Sequence, residues 1–388
     1  MGPDAQVSRR FALATLASPF LAGTALPQTL AQPVIDTGVP AATKDKPQSK
    51  LWFAAGTWWA WLPVKSGSAI WRRTPSGWER QRQLDARLGG LPGQADVWAD
   101  GDTVRTVLVE PPRIAIIALR WNAPEKSYRL DGNIVLFTAG SDVETATIDR
   151  DSMGRWCVAY NSGRRMWARL SLAPDGKAWT APIEVTNRPA SADDICSVVA
   201  LPDAIGVVWS DQADDAVLLR RHSSKAGRWE DIEVVEQGGK TADDHIHIAS
   251  AGDGRLFVAT KNSVDRIGAP QQVLRVRSAD GKWTNHTYAP LTTTAAPTRP
   301  IAQLSHDGRR LYLLHTTGLP GRRPPHSVIV AQTTATDRIQ VQGPAATILE
   351  AAAPVNNVTG SKARLPKERP WIVLASDAQG RVYEAPLD

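Results

Sequence analysis

The chain has 388 residues, with 45 Lys and Arg against 39 Asp and Glu, a formal excess of +6. That excess is thin for the length and argues against a nucleic-acid binder working through a basic stripe. A hydrophobic share of 42% with 22% charged residues excludes a disordered chain, and 15 Trp among 29 Gly and 28 Pro suit many short strands joined by turns better than helices.

The chain opens with Ser8-Arg9-Arg10-Phe11-Ala12-Leu13 and an Ala- and Leu-rich run to about Leu30, broken by Pro19 and Pro27. This resembles a twin-arginine export signal, with small-residue exits after Ala25 or Ala31, and implies a periplasmic or secreted protein. Residues 1–31 are therefore expected to be the signal. No later segment has the 18 or more consecutive apolar residues of a membrane span. Residues 32–48 read as a linker or as a strand that closes a ring, and residues 49–388 as one domain.

Blade-like organisation starts at residue 49. Trp52, Trp58, Trp59, Trp61 and Trp71 crowd its first segment. Indole faces stack on sugar rings, which makes Trp59 and Trp61 candidate substrate contacts; packing between sheets is the competing use. Further on, Ala192-Asp193-Asp194-Ile195 returns as Ala242-Asp243-Asp244-His245 fifty residues later, each ahead of two apolar strands. Comparable starts fall at Asp96, Glu144, Arg299 and Asn357. A strand-only period of this size predicts an all-β chain, a single propeller of seven four-stranded blades, with six blades and an insertion as the alternative. The last unit, 356–388, holds three strands, so a strand from 33–48 is expected to complete it and remove an open edge.

A second recurrent element is an Asp, a nearby Gly and then an aromatic: Asp151-Gly154-Trp156, Asp175-Gly176-Trp179, Asp253-Gly254-Phe257, Asp280-Gly281-Trp283, Asp307-Gly308-Tyr312 and Asp377-Gly380-Tyr383. Asp bonds the turn, Gly takes positive φ and the aromatic fills the space between sheets. Cys157 and Cys196 both lie in apolar runs, where free thiols pack as small hydrophobes; an export compartment would permit a bond between them without requiring one.

In a propeller the inner strand of each blade lines the channel, so the residues opening those strands converge at one mouth. The candidates are His245, Asp244, Arg299, Glu144 and Asp194 for catalysis, with Asp96, Lys362 and Asn357 for binding. Strand-opening Asp and Asn also bond the preceding loop, and a His beside Asp can serve as a structural bond. A guanidinium in a channel must meet a carboxylate of the protein or of a ligand. No cofactor motif is present and the metal is left open, although acidic pairs offer the hard oxygens that Ca²⁺ takes.

The segments Ser191–Ile195, Trp209–Gln212, Ala242–Ile246, Thr298–Ile301 and Asn356–Thr359 resemble those of secreted bacterial propellers of the broad sialidase-like, BNR-repeat type, over nearly all of 49–388. The resemblance implies a propeller whose relatives include glycoside hydrolases and lyases of uronate-containing chains. True sialidases carry an Arg-Ile-Pro element; here Arg113-Ile114 is followed by Ala115. The expectation is a monomer acting on a glycan at its funnel, leaning to a uronate-directed lyase over a hydrolase. A non-catalytic glycan- or protein-binding propeller is the alternative.

Overall fold

The computed structural model describes residues 30–44, 46–293, 296–318, 326–341 and 343–387. Residues 1–29 of the expected export signal, 1–31, lie outside them, while Ala31 is bridged to Ala351. Among the described residues the strands form seven sheets, each antiparallel, arranged as the seven-bladed propeller that the fifty-residue period predicts. The inner strands are Leu51–Ala54, Gln94–Asp100, Ala146–Arg150, Cys196–Ala200, Ile246–Ser250, Thr298–Leu304 and Asn356–Thr359. Blade 2 carries a fifth strand, Ser127–Leu130, paired with Arg113–Asn122. Ile35–Asp36 pairs with Arg381–Pro386 as the outermost strand of blade 7, so the N-terminal segment closes the ring as expected. No helix among the described residues is long and apolar enough to cross a membrane.

Successive strand residues face opposite sides of a sheet, and here both sides are buried between blades. Blade 1 shows this clearly. Trp58 packs with blades 6 and 7, whereas Trp59 and Trp61 pack with Trp52, Leu108, Ile117 and Tyr128 against blade 2. Trp52 stacks on Trp59 at 6.1 Å and Tyr128 meets Trp59 edge-on at 5.0 Å. Cys157 and Cys196 share the blade 3–4 core as free, buried thiols.

The inner strands are also latched side chain to backbone around the channel, which answers the buried backbone donors that a slanted ring leaves unpaired. Asp96 accepts from Ser49 N and Ile148 N, both at 2.8 Å, and so joins blades 1, 2 and 3. Thr147 accepts from Val198 N, Ser250 donates to Ala200 O, and His247 accepts from Ala302 N. Gln303 accepts from Ser361 N and Thr359 from Lys50 N, which completes the circle.

The Asp-Gly-aromatic turns behave as predicted. Asp151 accepts from Met153 N and Arg155 N, Gly154 has φ +82°, and Trp156 is buried between blades 2 and 3. The turns at Asp151, Asp253 and Asp307 follow inner strands and so lie on the face opposite the inner-strand starts.

Candidate active site

Three inner strands are preceded at the same phase by acidic residues, because Glu144, Asp194 and Asp244 each stand two residues before their strand. Antiparallel blades put these positions on one face, at the mouth of the channel. Asp96 does not share that phase. It is the third residue of its strand, fully buried, and is held by Ser49, Ile148 and Lys362 Nζ at 2.8 Å. Extending the fifty-residue spacing from the Asp193 and Asp243 pair to Asp96 therefore set blade 2 out of step with the others, and Asp96 is an inter-blade latch inside the channel. Lys362 goes with it, deep in the channel and near a cavity of about 170 Å³ that Asp149 and Ser250 also line.

Asp194 also stands apart. It accepts from Ser191 N, Gln212 N, Gln212 Nε2 and Ser210 Oγ, so its carboxylate is spent on holding its own loop. Burial pushes that carboxyl up, against the pull of these bonds. Trp59 and Trp61 are 0% exposed and leave no indole face for a sugar; the expectation that they contact substrate gives way to packing between blades 1 and 2.

What meets at the mouth is Glu144, Asp243, Asp244, His245, Thr298 and Arg299, with Lys46 and Lys261. His245 Nδ1 lies 2.5 Å from both Asp243 Oδ1 and Asp244 Oδ1, so that nitrogen carries a proton and Nε2 is the basic one in the neutral ring. Nε2 is 3.2 Å from Thr298 Oγ1, whose hydroxyl donates to it. Asp243 Oδ2 accepts from Lys261 Nζ at 2.7 Å and Ser263 Oγ at 2.9 Å.

Lys46 bridges two blades, 3.2 Å from Glu144 Oε1 and in direct contact with Asp244 Oδ2. It arrives because the N-terminal segment, having paired with blade 7, is pinned by Thr43 to Ser376 Oγ at 2.8 Å and crosses the mouth. The segment then descends the channel wall, where Gln48 Nε2 donates to Ala146 O and Lys50 Nζ to Ala95 O. Burial works against the Lys46 ammonium, but Glu144 and Asp244 outweigh it and raise its pKa. Burial likewise favours the neutral Asp244 carboxyl, yet the bond and charge of His245, with Lys46 behind, hold it well below the usual carboxylate range. Lys46 is the residue of the mouth that the sequence pattern does not reveal. Its segment has no repeat to align, and its one signal is a Lys pair beside a ring-closing strand.

Arg299 is the exception in this neutralised cluster. It sits at φ +55°, at an irregularity in the pairing of Thr298–Leu304, and Asn357 repeats the feature on blade 7 at φ +56°. A side chain other than glycine held there is strained backbone of the kind that collects at functional sites. The guanidinium makes one long bond, 3.5 Å to Thr298 Oγ1, and its Nε is buried without a partner. Burial lowers its pKa, opposed by the fields of Asp244, Asp243 and Glu144. Those carboxylates are engaged by Lys46, Lys261 and His245, so among the described residues Arg299 is left with its charge unanswered at hydrogen-bond range.

Asp243, Asp244 and His245 bring ligand atoms within 4.8 Å of one another. The set does not suit Ca²⁺, which takes six to eight oxygens. Here one ligand is an imidazole whose Nδ1 is protonated against the carboxylates, and two ammonium groups already occupy their outer oxygens.

No family model matches the chain, and no curated protein matches it. Solved structures with a similar course include a Lactobacillus plantarum protein, 14% identical, with a TM-score of 0.49 over 88% of this chain and 95% of that one. An alpha-L-arabinofuranosidase from Lactobacillus brevis is 12% identical, with a TM-score of 0.38 over 67% and 94%. An endo-arabinanase from Bacillus licheniformis is 12% identical, with a TM-score of 0.36 over 63% and 92%. Likenesses at this level carry no reading of activity.

Proposed function

We propose that the protein is an exported carbohydrate-active enzyme that cleaves an acidic glycan at the mouth of its channel, by β-elimination at a uronate. The observation that carries the reading is Arg299: a strained, unpaired guanidinium beside a His whose Nδ1 is fixed by two carboxylates. Arg299 takes the uronate carboxylate, and neutralising that charge acidifies the adjacent C–H. The arriving sugar displaces the Thr298 hydroxyl from His245 Nε2. The imidazole takes the C5 proton, the freed electron pair forms the C4–C5 double bond, and the C4–O bond breaks. Water protonates the leaving oxygen, because the five tyrosines all lie in the cores between blades and not at the mouth.

Elimination is favoured over hydrolysis by the state of the carboxylates. A glycosidase needs one carboxyl kept protonated as general acid. At this mouth Asp244 is held ionised, Asp243 is locked by Lys261 and Ser263, and Glu144 is tied to Lys46. The twin-arginine leader and the sialidase-like segments belong to the same proposal. They support a location outside the cytoplasm, where glycans are met.

The test follows ultraviolet absorbance of unsaturated uronates together with new reducing ends, over a panel of acidic and neutral polysaccharides. Absorbance and ends rising together, and both lost in His245→Ala and Arg299→Ala, support elimination. Ends without absorbance would replace it with hydrolysis. One observation favours a non-catalytic binding propeller instead, namely that the chain's own Lys46 fills part of the mouth. Retained glycan binding with silence in both channels would establish that reading.

A further inference from the structure

A groove runs outward from the mouth between blades 1 and 2. Its volume is about 480 Å³, within the usual range of small-ligand sites, and its inner end is Glu144. One wall is the N-terminal segment at Val39 and Lys44, the other the blade 2 turn from Glu110 to Arg113, and the blade 1 turn at Lys65 lies between them.

The charges along it are not balanced. Glu110 is paired with Arg113, and Glu144 at the inner end is paired with Lys46. Lys44 and Lys65 are both exposed, and neither makes an ion pair among the described residues. The Lys65 stem lies over Gly38, where an added Cβ would come 2.9 Å from Lys65 Cε. Glycines keep the floor low. Gly67, Gly90 and Gly93 line it, and a Cβ at Gly93 would meet Pro63 at 2.7 Å. A flat, glycine-floored trough with two unanswered cations, leading to an unanswered guanidinium, matches a ribbon of linked sugars carrying a regular series of negative charges.

Building on the proposed function, we infer that the groove between blades 1 and 2 holds the further uronate units of an extended polyuronate whose reacting unit sits at Arg299. Lys44 and Lys65 are binding residues for the chain outside the mouth and take no part in the elimination. The ligand class is thereby a polyanionic glycan longer than the unit being cleaved, not a single acidic sugar.

The experiment is affinity electrophoresis of the whole protein through gels containing polygalacturonate, alginate or neutral dextran, comparing wild type with the Lys44→Gln/Lys65→Gln double variant. Both substitutions are at exposed side chains, and unchanged thermal unfolding confirms an intact fold. Retardation by a polyuronate and not by dextran is expected, with the double variant weakened about tenfold and the wild-type retardation falling steeply with salt. Retardation unchanged in the double variant, or none by either polyuronate in wild type, overturns the groove. Turnover is read separately. Retardation lost in the double variant with no turnover in wild type keeps the groove and sinks the elimination; turnover indifferent to chain length, with unchanged retardation, does the reverse.

Discussion

Replacing Lys46 by Met tests the mouth without disturbing its packing, because the stem is kept and the charge removed. The Lys46 side chain is 11% exposed, and its partners Glu144 and Asp244 are 36% and 24% exposed. Removing one member of a fully buried pair costs about 3–5 kcal/mol, whereas an exposed pair is worth about 0–1 kcal/mol. A pair of intermediate exposure, whose loss leaves two carboxylates facing each other, is expected to cost about 2 kcal/mol near neutral pH. The sign with pH follows from both partners. Asp244 is held below its ordinary value of 3.8, so its contribution is present above that value and fades as pH falls through the depressed one. Lys46 is held above its ordinary 10.5, so its contribution is complete below that and fades as pH rises through the raised value. The stability gap between wild type and Lys46→Met should therefore be widest across the neutral range and narrow at both ends. Urea unfolding followed by Trp fluorescence at a series of pH values measures it. Adding Glu144→Gln to Lys46→Met should recover part of the loss, since one of the two facing charges is then gone. A gap of a few tenths of a kcal/mol at neutral pH, or one that stays the same through the acid range, would refute the bridge.

Arg299→Gly removes a half-buried guanidinium whose Nε has no partner, and suits a backbone at φ +55°. It is expected to abolish turnover while leaving stability unchanged or raised by up to about 1 kcal/mol, as relief of strain offsets the entropy of glycine. A loss of several kcal/mol in unfolding would show that Arg299 serves the fold. His247 and His315 are pushed down to about 3 and about 4, chiefly by burial, with Lys362 adding to the effect at His247. Their folded values lie below the ordinary 6.5, so the stability they confer is full above 6.5 and is lost as pH falls towards 3–4. Each should steepen the acid side of the stability profile by up to about 1.4 kcal/mol per pH unit in that window. His315→Gln should flatten the profile there, and an unchanged slope would contradict the burial.

The repeat was legible because every blade solves one problem with one device. The Asp-Gly-aromatic turn leaves a spacing that survives in sequence, and Asp193-Asp194 and Asp243-Asp244 align because both blades enter their inner strands through the same kind of loop. What the repeat could not show is which way a polar residue faces. Asp96, Glu144 and Asp194 look alike as letters, yet a shift of four residues along the strand turned Asp96 from a mouth residue into a latch between Ser49 and Ile148. Asp194 differs from Asp244 by its downstream partner. Gln212 folds back onto Asp194, whereas Asp244 has His245 beside it and Lys46 across from it. Trp59 and Trp61 were ambiguous for a related reason: both faces of a blade are interior, so aromatic density marks packing as readily as binding.

Lys46 shows where a repeat reading fails in principle. The residues that ring closure brings to the mouth come from outside the repeat, and their positions are fixed by endpoints far apart in sequence. Thr43 is tied to Ser376 in the last blade, and Gln48 and Ser49 are tied to Ala146 and Asp96 in the third and second. Only a few residues span that gap, so the ammonium can reach Glu144 and Asp244 only when the first and last blades are joined. Closing the ring and balancing the mouth are thus one event. The same closure leaves Arg299 unanswered, because the cation that enters the acidic cluster does so at the carboxylates that would otherwise have paired with the guanidinium.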